Sequence, residues 1–196
     1  MEGKVLFVYG LQTKEFKAED KMASMKPFLA KYGFEVVLVD YNHGKPTKEA
    51  LEKYAAQVFK EAEKLKPLVA IVAHSMGGMV ARYLIEVMGL SVPKLIILES
   101  PNLGIPQSLL FLPRLFGVPS DWQSTRSMLR NSRFFKRLNR QAASKTIYYN
   151  IGGFYYLMFP SIFSLPGVPT KLFLVSHSRL RENRRVLKYI AKILQS

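Results

Sequence analysis

Apolar and polar positions along this chain follow two rhythms. The first is a set of short, nearly unbroken apolar runs: residues 4–9 (KVLFVY), 34–40 (FEVVLVD), 68–73 (LVAIVA) and 94–99 (KLIILE). Runs of this length, closed by turn formers such as Gly10, predict buried strands. The second rhythm has helical spacing. Phe16, Met22, Met25, Phe28 and Leu29 recur through residues 15–31. Leu51, Tyr54, Ala55, Val58 and Leu65 follow Thr47, a candidate cap. Residues 76–88 predict a third helix that closes at Gly89. Strands free of polar alternation, separated by helices, predict a parallel sheet covered on both faces.

After Pro101 the alternation lapses. Residues 105–140 hold short amphipathic pieces, with Arg126, Arg130, Arg133, Arg137 and Arg140 three or four apart. Two further strands are predicted at 146–151 (TIYYNI) and 171–176 (KLFLVS). A final basic helix at 179–194 turns Leu180, Val186, Leu187, Ile190 and Leu194 inward. The expectation is an α/β domain spanning residues 1–196. It has a mostly parallel sheet of about six strands, helices on both faces and a small basic helical cap-like insertion at about 105–140, before the last two strands.

Composition narrows the chemistry. With 196 residues, 48% of them hydrophobic, the chain can bury a core of its own. It has no cysteine, so disulfides, thiolate metal sites and cysteine nucleophiles are excluded. His43, His74 and His177 lack the close pairing of a histidine metal site, and neither metal nor cofactor is expected. The chain as given opens directly on an apolar strand, with no signal-peptide pattern, which points to a cytoplasmic location or to a chain already processed. The most apolar stretch, 151–169, is broken by Gly152, Gly153, Pro160, Pro166, Gly167 and Pro169 and predicts no membrane span. Charge is lopsided: residues 1–100 carry 14 Lys and Arg against 12 acids, residues 101–196 carry 15 against 2. A one-signed half attracts anionic surfaces such as phospholipid headgroups, or is simply a solvated basic face.

The informative segment is 68–82, LVAIVAHSMGGMVAR, where an apolar strand runs into Ala73-His74-Ser75-Met76-Gly77-Gly78 and a helix begins at once. A serine on so sharp a strand–turn–helix projects its hydroxyl above the sheet edge, and its neighbours must be small, as Ala73 and Gly77 are. The Met76 N–H, at the helix start, points where an oxyanion would form. A phosphate-binding turn is the competing reading, but it lacks the Gly-x-x-x-x-Gly-Lys-Ser/Thr spacing.

This run resembles that of the small bacterial lipases and the lipase class 2 and inositol-deacylase-like branch of the α/β hydrolases. Other segments agree. Phe7-Val8-Tyr9-Gly10-Leu11 resembles the branch's strand ending in His-Gly-apolar, with Tyr9 in place of the histidine. Ser100-Pro101-Asn102-Leu103-Gly104 resembles its Thr-Pro-His-x-Gly turn, and Phe134-Phe135-Lys136-Arg137-Leu138-Asn139 a helix end found there. The resemblance implies Leu11 as a second oxyanion donor beside Met76. It also implies the chain order serine, acid, histidine, and His177 alone among the histidines follows Ser75. His74 reads as structural and points away from the nucleophile; His43 reads as solvated.

The acid departs from the pattern. Tyr156 stands where the resemblance implies an aspartate, and no carboxylate lies from Trp122 to Arg181. Between Ser75 and His177 the acids are Glu86, Glu99 and Asp121. Glu86 reads as outward-facing on a helix. Glu99 ends the strand after the serine and can approach His177 from the other side; Asp121 reads as a helix cap or a second candidate acid. A Ser–His pair without an acid stays open.

Two functions follow. The first is a serine esterase or lipase acting through an acyl-enzyme on a small-molecule or lipid ester. Ser75 is its nucleophile, His177 its base and Glu99 its orienting acid, and the aromatic run Phe154, Tyr155, Tyr156, Phe159 and Phe163 serves as acyl pocket, lipid-facing lip or ordinary core. The second is a catalytically weak protein of the same fold that docks anionic membranes or partners through its basic half, at 105–140 and 179–192. Nucleic acid is not an expected partner of either, and the oligomeric state is unassigned.

Overall fold

The structure, a computed structural model, describes residues 3–11, 22–41, 48–109, 122–138 and 145–196. Six strands form one sheet: β1 (Gly3–Val8), β2 (Phe34–Leu38), β3 (Leu68–His74), β4 (Lys94–Leu98), β5 (Ile147–Gly152) and β6 (Thr170–Leu172). Their order is β2-β1-β3-β4-β5-β6, and every neighbouring pair is parallel. All six strands therefore end on one edge, where α/β sheets collect their functional groups. The interior strands β3 and β4 are buried on both faces, so each reads as an unbroken apolar run.

Helices α1 (Met25–Ala30), α2 (Leu51–Lys64) and α3 (Met76–Glu86) return the chain between strands. Between β4 and β5, α4 (Gln123–Ser127) and α5 (Arg133–Leu138) occupy the place of the expected insertion. Beyond β5 come α6 (Phe154–Met158), α7 (Pro160–Phe163) and, at the end, α8 (Arg184–Gln195). Helix α1 packs with α8, and α2 packs with α3, giving two helical layers on the sheet. Helix α8 is capped by Asn183, whose side chain accepts from the N–H groups of Arg185 and Val186. It buries Val186, Leu187, Ile190 and Leu194 and leaves Arg184, Arg185, Lys188 and Lys192 in solvent.

Several expectations shift. Of the helix expected at 15–31, residues 15–21 lie outside the described residues, 22–24 form a turn and α1 starts at Met25; His43, Thr47 and Asp121 also lie outside the described residues. The last strand is shorter than 171–176: β6 pairs with β5 over three residues, as an edge strand with one neighbour. The aromatic run forms α6 and α7. Among the described residues no helix is long and apolar enough to cross a membrane.

Two glycines bring β1 against the turn between β3 and α3. A Cβ on Gly77 would collide with the carbonyl oxygens of Val8 and Tyr9, and one on Gly10 would come within 2.8 Å of the Ser75 Cβ. Because the obstacle at Gly77 is backbone, it cannot rotate aside. Gly77→Ala is expected to destabilise the fold by about 3 kcal/mol, the upper part of the overpacking range, as read from urea unfolding; a wild-type midpoint would show that β1 can retreat.

Candidate active site

Ser75 sits at the end of β3 with φ 56° and ψ −130°. Its N–H donates to the Leu98 carbonyl at 3.0 Å, which pins the turn to the end of β4. Glu99, the residue after β4, has φ 45°, and its N–H donates to the Ile151 carbonyl of β5 at 2.8 Å. Among the described residues Ser75 and Glu99 are the two non-glycine residues with positive φ. Such conformations cost about 1–3 kcal/mol each and persist where the surroundings over-determine them.

The turn at Glu99 directs its carboxylate into the protein, where the side chain is fully buried. Oε1 accepts from the N–H groups of Gly153 at 2.7 Å and Tyr156 at 2.8 Å. Oε2 lies 2.9 Å from His177 Nδ1. A carboxylate only accepts, so Nδ1 carries the proton and Nε2 is left as the basic nitrogen. The position at which an aspartate was implied thus contributes a backbone N–H to an acid from the neighbouring strand. The Tyr156 hydroxyl is engaged elsewhere, accepting from Ser164 at 3.2 Å; that contact, then one with Thr170, lowers its pKa. The Tyr155 ring lies 5.1 Å from the His177 ring, and burial, followed by the Glu99 charge, raises its hydroxyl pKa.

His177 opens a 3₁₀ turn, His177–Arg179, and its imidazole is largely enclosed. His74 does not point away from this region. Its Nε2–H donates to the His177 carbonyl at 2.9 Å, and the two rings lie 4.6 Å apart. The residue before the serine therefore holds the loop that carries His177. Nor does Glu86 face outward: it is ion-paired with buried Arg82 at 2.8 Å and accepts from the Tyr148 hydroxyl. Arg82 also donates to the Asn102 carbonyl, and the Asn102 amide bonds Asn150 and the Phe163 carbonyl. These bonds brace the 100–104 turn behind Glu99.

The oxyanion expectation falls on Met76 and Leu11. Met76 is buried at the first position of α3, where an N–H has no intrahelical acceptor. Leu11 follows Gly10, the residue that lies against Ser75. This loop is held by a residue the sequence reading missed. The Tyr41 hydroxyl donates to the carbonyls of Tyr9 at 2.9 Å and Gly10 at 3.2 Å. Its ring stacks on Tyr9 at 4.3 Å, and the Tyr9 hydroxyl donates to Asp40. Burial pushes the Tyr41 hydroxyl well above its ordinary pKa, so it remains a donor. The signal available in the sequence was only an aromatic after the second strand. Tyr41→Phe is expected to cost about 1–3 kcal/mol by removing a buried hydroxyl donor from these carbonyls. Thermal denaturation checks that loss, and kcat should fall while KM holds if the loop carries the donor.

Comparison with known proteins gives a consistent picture. The profile of the alpha/beta hydrolase family matches residues 15–194. No curated protein matches the chain in sequence. Among solved structures, a Bacillus licheniformis lipase in its mature form is similar, with TM-score 0.76 and 16% identity over 98% of this chain and 91% of that one. A Paleococcus ferrophilus monoacylglycerol lipase has TM-score 0.68 and 13% identity over 98% and 93%. Polyneuridine aldehyde esterase has TM-score 0.59 and 13% identity over 98% of both chains. At these identities the likeness is one of fold.

Proposed function

Given that this chain belongs to the alpha/beta hydrolase family and has its fold, we propose that it is a serine ester hydrolase of the esterase or lipase kind, with Ser75, His177 and Glu99 as its triad. The observation that carries this reading is the buried Glu99 carboxylate bonded to His177 Nδ1, on the sheet edge that bears the strained Ser75. The Ser75 Oγ attacks the acyl carbonyl, and His177 Nε2 takes the hydroxyl proton. The N–H groups of Met76 and Leu11 receive the oxyanion. Collapse expels the alcohol, protonated by His177, and leaves an acyl ester on Ser75. Water then attacks with His177 again as base, releasing acid and free Ser75. Glu99 stabilises the imidazolium formed in each half-reaction and fixes its tautomer.

Small-molecule and lipid esters are the substrate class of this reading, with an anionic membrane surface as its partner. The second reading, a non-catalytic binding protein, drew its support from the missing aspartate; a carboxylate already bonded to His177 weighs against it. A fluorophosphonate probe separates the two. Covalent labelling at Ser75, located by peptide mass, supports the hydrolase; an unlabelled, folded protein overturns it.

A further inference from the structure

Six large apolar side chains are exposed among the described residues, and five belong to one region: Phe154, Leu157 and Met158 of α6, and Leu172 and Leu174 at and beyond β6. They are brought together by the backbone. The Phe154 N–H donates to the Val175 carbonyl at 3.1 Å, and the Phe173 N–H to the Gly152 carbonyl at 3.0 Å. Tyr156 and Leu172 both close on Gly152. Strand alternation sorts the rest. Lys171 and Phe173 turn to Tyr189 of α8, which leaves Leu172 for the other side, with Tyr156 of α6. Leu174 is 80% exposed. A groove of about 800 Å³ runs past these leucines to the start of α8, and its basic members are Lys171, Arg184, Arg185 and Lys188.

An apolar ridge on a basic rim is the surface that a bilayer bearing anionic headgroups complements: the ridge enters the acyl boundary and the rim meets phosphate. We propose that α6, the β6 edge and the first turn of α8 form a docking face for anionic lipid bilayers. Charge complementarity selects this occupant. The four cations of the rim stand in a half of the chain with 15 basic residues and 2 acids. Of the two basic segments expected to dock, 105–140 and 179–192, this face draws on the second. It rests on the hydrolase reading in one respect. Helix α6 carries the Tyr156 N–H that holds Glu99 and the Tyr155 ring beside His177, so an ester leaving the bilayer arrives at the triad.

Cosedimentation of the full chain with vesicles of phosphatidylcholine alone or mixed with phosphatidylglycerol tests the face. It is carried out with Ser75→Ala, so the result does not depend on turnover. Binding should favour the anionic vesicles at least about tenfold and fall as salt rises. The pair Leu157→Glu and Leu174→Glu, and separately Arg184→Glu with Lys188→Glu, should each reduce it about tenfold or more, with unchanged circular dichroism. Ile147→Glu, exposed at the opposite end of the sheet, should bind as the parent does. Equal binding to both vesicles, or binding indifferent to both pairs, overturns the proposal. So does a concentration-dependent dimer that both pairs abolish in the absence of any vesicle binding. Fluorophosphonate labelling of the parent chain reports the hydrolase reading separately.

Discussion

Ser75→Ala is expected to lower ester turnover by about 10⁶-fold, the loss found when a serine nucleophile is removed from a working triad. Nothing else in the site can replace it. The geometry that raises the Ser75 hydroxyl above the sheet edge is a property of one turn, and the other described non-glycine residue with positive φ, Glu99, is bonded to His177. Residual catalysis would come from the oxyanion donors and binding alone. Folding should be nearly unaffected, because alanine keeps the Cβ that packs against Gly10 and loses only a hydroxyl. Hydrolysis of p-nitrophenyl esters, followed beside a thermal melt, measures both. A mutant that melts normally and hydrolyses at the parent rate would mean that the turn is not the nucleophile.

The second large effect belongs to Glu99. Glu99→Gln is expected to lower kcat by about 10²–10⁴-fold with KM little changed, the scale on which a triad acid acts when neutralised. The amide oxygen can still accept from Gly153 and Tyr156, so the loop keeps its anchors. The amide nitrogen then faces His177 Nδ1, and two donors cannot share that bond. The imidazole shifts its proton to Nε2, the nitrogen that must accept from Ser75. Glu99→Asp should also be impaired, since a side chain one methylene shorter falls short of Nδ1 or of the two N–H groups. Asp121→Asn, measured in parallel, should change little. Full activity in Glu99→Gln with loss in Asp121→Asn would transfer the role to Asp121; full activity in both would leave a Ser–His pair.

The sheet was legible because its interior strands are buried on both faces, which leaves a periodicity that single residues cannot hide. The serine turn was legible because steric demands at Gly77 and Ala73 are local. Glu99 was found as a candidate by elimination, but its reach to His177 was not readable. That reach depends on a left-handed backbone at Glu99 and on two N–H groups delivered by a short helix of weak periodicity. His74 and Glu86 were misdirected for a related reason. At a strand end, and on a helix closed over by β5, side-chain direction is set by the neighbours that arrive, here the His177 carbonyl and the Arg82–Tyr148 pair. Tyr41 was passed over because its action is through a hydroxyl on two distant carbonyls, a contact 31–32 residues apart in sequence.

The backbone at Ser75 has one further implication, for the history of this sequence under selection. Glycine tolerates positive φ without a Cβ penalty, so the same turn would be more stable with no side chain at all. Glycine at position 99 would likewise relax its own backbone, at the expense of the buried carboxylate. Selection for heat resistance alone would push both positions toward glycine, and would erase the Ser75 hydroxyl and the Glu99 carboxylate together. On the proposed reading of Ser75 as nucleophile and Glu99 as acid, both side chains therefore exchange local stability for activity, as happens where a protein keeps only as much stability as its task permits.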